Sequence, residues 1–229
     1  AGISAAGVID NINMEVIRAA PTIKNYVGTN FKKDFGDRLG VDVYVDNDVN
    51  CALLGEQWLG GAKGLDEVFC MALGTGIGGA YYLNSLPFGS NFGFGEIGAS
   101  VYDVETDTTY EQRASTIALD RKIKAEMYDG LSVIEFFDLC KREDTNALKI
   151  LDEWLYEVAR GIVNLLCILD PKYIVIGGAV SAQGDYLLNK LEAKVRELHP
   201  IKINKTKFLA ASLGNDAALY GAISPFVKK

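Results

Sequence analysis

Apolar and polar positions alternate over "VDVYV" (41–45), which predicts a strand. The next residues, "DVNCALLGEQWLG" (48–60), change to a helical spacing, with Val49, Leu53 and Trp58 near one face and Gly60–Gly61 as the stop. "EVFCMALGTGIGGAYYLN" (67–84) predicts a hairpin of two apolar strands around a glycine-rich turn. Glycines at 89, 93, 95 and 98 make 87–100 a loop. Helices are expected over 110–127, 132–142 and 144–170. The last of these keeps an apolar stripe from Ala147 through Ile150, Trp154, Val158 and Ile162, with Asp144 or Thr145 as cap and Pro171 as terminator. A buried strand over 172–180 runs into Gly177–Gly178, followed by a helix (184–198), a strand (206–212) and a last helix (214–226). "AGISAAGVID" (1–10) reads as strand from its first residues. Strands alternating with helices predict α/β layers.

Composition narrows the function classes. The chain has 229 residues, 49% of them hydrophobic, enough for one large core or two smaller ones. Its net charge is −7, and its only basic spot is Lys202, Lys205 and Lys207, which argues against a nucleic-acid partner. No apolar run is long enough for a helix to span a bilayer, so no membrane partner is expected and the expected location is cytoplasmic. The four cysteines, 51, 70, 140 and 167, form no C-x-x-C pair, and Cys70 and Cys167 lie in apolar runs that suit buried thiols. The single histidine, His199, reads as a surface residue at a helix end, and no zinc site is expected.

Four stretches could carry chemistry. "LGTGIGG" (73–79) leaves backbone N–H groups unshielded at Gly74, Thr75 and Gly76 and can cradle a phosphate, or can simply be a hairpin turn. A strand follows it, so it is neither a P-loop nor a dinucleotide fingerprint. Gly177–Gly178 end a buried strand, where ligands of α/β sheets bind, although glycine also merely ends strands. Glu96 sits among glycines in a loop, and Glu111 opens a helix, where its charge also suits the helix dipole. Asp46, Asn47 and Asp48 follow a strand. Asp46 or Asn47 can cap the helix, which leaves a spare carboxylate able to accept a hydroxyl proton in phosphoryl transfer.

The order of these segments, ending in "IVIGGAV" and "LGNDAALYGA", resembles the ROK family of bacterial sugar kinases and sugar-responsive repressors over nearly the whole chain. The resemblance implies a two-lobed actin-like ATPase (ribonuclease H-like) α/β fold. Residues 1–49 and 214–229 would form the smaller lobe and 50–213 the larger. It implies ATP-dependent phosphorylation of the 6-hydroxyl of a hexose or β-glucoside, with ATP and Mg²⁺ as cofactors and a homodimer as the working form. Asp48 would be the base. Asn47, Glu96 and Glu111 would bind sugar hydroxyls. Gly74, Thr75 and Gly76 would hold phosphates, and Gly177 and Gly178 would lie along the nucleotide.

Two departures qualify this. Many members place His where this chain has Ala99 and follow it with a Cys-rich zinc segment, whereas residues 100–115 contain no Cys. That pattern resembles the zinc-free β-glucoside kinase branch. The family's amino-terminal Asp-x-Gly-Gly-Thr loop is not found either, so a truncated first lobe and poor ATP binding by residues 1–229 alone are expected. The alternatives are a sugar-binding regulator without its DNA-binding domain and an inactive fragment.

Overall fold

The computed structural model describes residues 1–20, 23–87, 89–100, 103–202 and 205–227. Residues 228–229 of the expected smaller lobe and 101–102 of the zinc-free segment lie outside them. The strands are β1 Gly2–Ala5, β2 Val8–Asp10, β3 Glu15–Arg18, β4 Tyr44–Asn47, β5 Val68–Leu73, β6 Ile77–Tyr82, β7 Tyr173–Gly177 and β8 Lys207–Ala210. The helices are α1 Asp37–Leu39, α2 Asp48–Leu59, α3 Tyr110–Ala114, α4 Thr116–Glu126, α5 Val133–Lys141, α6 Thr145–Leu169, α7 Asp185–Leu198 and α8 Ala217–Val227.

Packing divides the chain into two compact units. The first holds 1–70, 79–95 and 211–229. Here β1 pairs in parallel with β4, from Gly2 opposite Tyr44 to Ala5 opposite Asn47. This ladder moves the expected 41–45 strand forward: pairing begins at Tyr44 and continues to Asn47, while Val41 is exposed. β2 and β3 form an antiparallel hairpin with a register shift at Val8/Ile9. Ala5, Ile9, Val16, Phe31 and Val45 make a small core beneath them. Helix α8 lies very close to α2: a Cβ on Gly221 would overlap the Cys51 carbonyl, and one on Gly55 would overlap that of Ala217. Glycine at these two sites permits backbone contact between the helices.

The second unit holds 71–78 and 96–210. β7 and β8 are parallel, from Tyr173 opposite Lys207 to Ile176 opposite Ala210. Helix α6 supplies much of the core through Ile150, Leu151, Trp154, Leu155, Val158 and Ile162, as its stripe predicts. Asp144 is its cap, accepting the Ala147 N–H at 2.9 Å. The helix expected over 110–127 is broken at Ser115, which ends α3 and caps α4 through the Ala118 N–H. The Trp154 indole N–H donates to the Ala114 carbonyl at 3.0 Å, a bond an uninterrupted helix would not leave open.

The lobe limits at 49/50 and 213/214 are a division of a different kind from these units and remain a proposal. Two side chains are not where their neighbours implied. Cys167 is exposed, because this face of α6 opens to solvent, and His199 is 4% exposed. The His199 ring is turned inward, its Nδ1 accepting the Ile201 N–H at 3.0 Å. Among the described residues no helix is long and apolar enough to cross a membrane.

Candidate functional site

The 46–48 run divides three tasks among three side chains. Asn47 is the cap of α2: its Oδ1 accepts the N–H groups of Val49 (2.8 Å) and Asn50 (3.4 Å), and its amide donates to the Gly7 carbonyl at 2.9 Å. Asp46 is therefore not the cap. It is 2% exposed and collects four donors. Oδ1 accepts the Asn47 N–H (2.7 Å) and the Asn50 amide (2.8 Å). Oδ2 accepts the Tyr44 hydroxyl (2.8 Å) and the Asn11 amide (3.1 Å). A strand residue with its side chain turned inward cannot reach over to cap the helix. Asp48 opens α2 and reaches solvent, with one oxygen accepting the Val49 N–H at 3.0 Å. The protein packed around it raises its pKa above the usual carboxylate value, against the pull of its hydrogen bonds.

The second unit carries the glycine turn. The Gly74 N–H donates to the Gly76 carbonyl at 3.0 Å, and Thr75 is exposed at the tip. Helix α4 ties the turn down: the Thr116 N–H donates to the Gly74 carbonyl (2.9 Å) and its hydroxyl to the Leu73 carbonyl (3.3 Å). Glu111 reaches the far side, where its Oε2 accepts the Ile77 N–H at 3.3 Å. Gly178, at φ +87°, presses on the same strand end, since a Cβ there would overlap the Leu73 carbonyl. Gly98 in turn packs on the Ile77 carbonyl. The structure thus brings Gly74, Thr75, Gly76, Glu111, Gly177 and Gly178 together. Glu96 is exposed, its carbonyl accepting the Ala99 N–H at 3.3 Å just before the short helical turn Ile97–Ala99. Asn47 and Asp48 belong to the first unit, and the other candidate residues to the second.

Glu56 escaped the sequence reading. It is 1% exposed and accepts N–H groups from Gly61 (2.7 Å), Ser212 (2.9 Å) and Leu213 (2.8 Å). An acidic residue immediately after the apolar and small residues 52–55 of the expected helix was the available signal. Among the described residues no group of three or more His, Cys, Asp or Glu side chains could hold a metal ion.

A family model described as "ROK family" matches residues 1–229. The chain belongs to the ROK family. The glucokinase of Thermotoga maritima is similar to this ROK protein, with 28% identity over 97% of this chain and 77% of its own. The beta-glucoside kinase of Listeria monocytogenes shares 27% over 99% of this chain and 79% of its own. Among solved structures, a ROK family glucokinase from Streptomyces griseus in complex with glucose and AMPPNP superposes with a TM-score of 0.83. It is 28% identical and covers 96% of this chain and 79% of that one. The fold is thus the actin-like ATPase fold of ROK sugar kinases.

Proposed function

We propose that this ROK protein is an ATP-dependent kinase for the 6-hydroxyl of a hexose or β-glucoside, with Asp48 as base. One observation carries the reading. Asn47 is occupied as cap and Asp46 by its four donors, so Asp48 is the carboxylate of the run that faces solvent with lone pairs to spare. Its raised pKa strengthens it as a proton acceptor. The kinase relatives, and the AMPPNP held by the Streptomyces griseus glucokinase, favour ATP as phosphoryl donor.

In this reading the sugar hydroxyl oxygen attacks the γ-phosphorus, the bond to the bridging oxygen breaks, ADP leaves, and the hydroxyl proton passes to Asp48. Asn47, through its second amide hydrogen, and Glu96 and Glu111 hold ring hydroxyls. Thr75 and Gly76 hold phosphates by backbone N–H groups, Gly74 closes the turn because its own N–H is taken by the Gly76 carbonyl, and Gly177 and Gly178 leave room for the nucleotide. Mg²⁺ would arrive with ATP and supply charge neutralisation on its phosphates. The lobes are 1–49 with 214–229 and 50–213, and the working form is a cytoplasmic homodimer.

ADP release should be measured with ATP, Mg²⁺ and a panel of hexoses and β-glucosides, alongside calorimetric sugar binding. Asp48→Asn should lower kcat by about 10²–10⁴-fold, the usual worth of general-base assistance, with sugar affinity little changed. A sugar bound tightly but never phosphorylated would count against kinase activity of this chain and favour a sugar-responsive regulator or an inactive fragment.

A further inference from the structure

The carboxylate of Glu111 lies against the glycine turn more closely than a hydroxyl-binding role requires. An ideal Cβ on Gly76 would stand 2.6 Å from Glu111 Oε2, and one on Gly98 3.0 Å from it. Two glycines therefore clear the space that this oxygen fills on its way to the Ile77 N–H. Its other oxygen, Oε1, accepts no hydrogen bond among the described residues.

On the opposite side of the turn, Thr116 fixes the carbonyls of Leu73 and Gly74. The two grips differ in sign: Thr116 supplies donors to the carbonyls entering the turn, and Glu111 supplies an acceptor to the N–H leaving it. Without the acceptor, the Gly76–Ile77 peptide is held through its carbonyl alone, which accepts the Gly74 N–H at 3.0 Å. The N–H groups of Thr75 and Gly76, the ones available to phosphate, would then hold their common direction less firmly.

We propose that Glu111 is a positioning residue of the phosphate turn: Oε2 fixes the Ile77 peptide and so pre-orients the 74–76 backbone. That the turn takes phosphate rests on the kinase reading; the grip of Glu111 on it does not. The role also explains why the side chain is half-buried against glycines.

Two measurements separate this from a side chain that only meets sugar. The first is amide hydrogen exchange at Ile77, with Val175 in β7 as internal control. The second is the affinity for AMPPNP with Mg²⁺ in the absence of any sugar. Glu111→Ala should accelerate Ile77 exchange about tenfold with Val175 unchanged, and weaken AMPPNP about five- to tenfold. Glu111→Gln keeps one acceptor oxygen and should hold both values within about threefold of wild type. A residue that only binds sugar would leave sugar-free AMPPNP affinity and Ile77 exchange unmoved in Glu111→Ala, and that result overturns the inference. If wild type binds no AMPPNP, which is the outcome expected of residues 1–229 alone, nucleotide affinity gives no readout and Ile77 exchange alone decides the role of Glu111. Acceleration of Val175 together with Ile77 would mark a general loss of stability, and Glu111→Gln then decides.

Discussion

Replacing Asp46 by Asn tests the division of labour in the 46–48 run. Asn caps helices as well as Asp, so a capping Asp46 would tolerate the change at almost no cost. The structure predicts otherwise. Four donors converge on a carboxylate that is 2% exposed, at 2.7, 2.8, 2.8 and 3.1 Å. An amide has one acceptor oxygen. The Asn47 N–H is backbone and cannot turn, so that oxygen must stay with it and with Asn50. The new NH₂ then faces the Tyr44 hydroxyl, which can rotate to accept, and the Asn11 amide, which must flip. A hydrogen bond to a charged partner is worth about 1.5–3 kcal/mol and a neutral one about 1. Four bonds each weakened by about 0.5–1 kcal/mol sum to about 2–4 kcal/mol, and relief from burying a charge trims this to about 2. Urea denaturation of wild type, Asp46→Asn and Asn47→Ala reads the result directly. The last should lose about 1 kcal/mol as the true cap. If Asp46→Asn stays within about 0.5 kcal/mol of wild type, the reasoning about its four partners is wrong.

Further outcomes follow from other sites. Because the protein packed around Asp48 raises its folded-state pKa even though the carboxylate reaches solvent, its ionised form opposes folding. The stability it lends is present below the ordinary carboxylate pKa of about 4 and is lost as pH rises through the higher folded value. Asp48→Asn should therefore melt above wild type near neutral pH, with the gap closing towards pH ~4; a gap independent of pH contradicts this. Gly221→Ala should destabilise by about 1–3 kcal/mol by forcing α8 off the Cys51 carbonyl, despite the better helix propensity of Ala, and a stabilised variant would dismiss the close approach. A thiol reagent at mild alkaline pH should modify Cys167 rapidly and alone, because burial pushes the Cys70 thiol up to about 12 and Cys140 up to about 11. Loss of the fast phase in Cys167→Ser checks the assignment.

Local periodicity carried much of the fold. The stripe on α6, the Asp144 cap, the hairpin around the glycine turn and the strand ending in Gly177–Gly178 are all set by residues within a few positions of one another. What the sequence hid depends on distant partners. The break at Ser115 interrupts a pattern that still looks helical, and Trp154 takes up the freed carbonyl from 40 residues away. Asp46 is visible as a carboxylate, but its donor Asn11 lies 35 residues upstream. Cys167 and His199 show that apolar or terminal neighbours do not fix which way a side chain faces. The candidate residues came from motif order. The structure adds the contacts among the glycines, Glu111 and Thr116, which no spacing encodes.

Glu56 has a further consequence for how the chain matures during synthesis. Two of its acceptor bonds go to Ser212 and Leu213, 156 and 157 residues later. At about 5–20 residues per second, a ribosome needs roughly 10–30 s to bring them out. Throughout that interval the carboxylate lies in the nascent polypeptide without those two partners, and α2 lacks the helix it later presses against. Every residue of the second unit emerges earlier than α8. The order of translation therefore lets the second unit settle first, while the first unit, begun earliest, is the last to close.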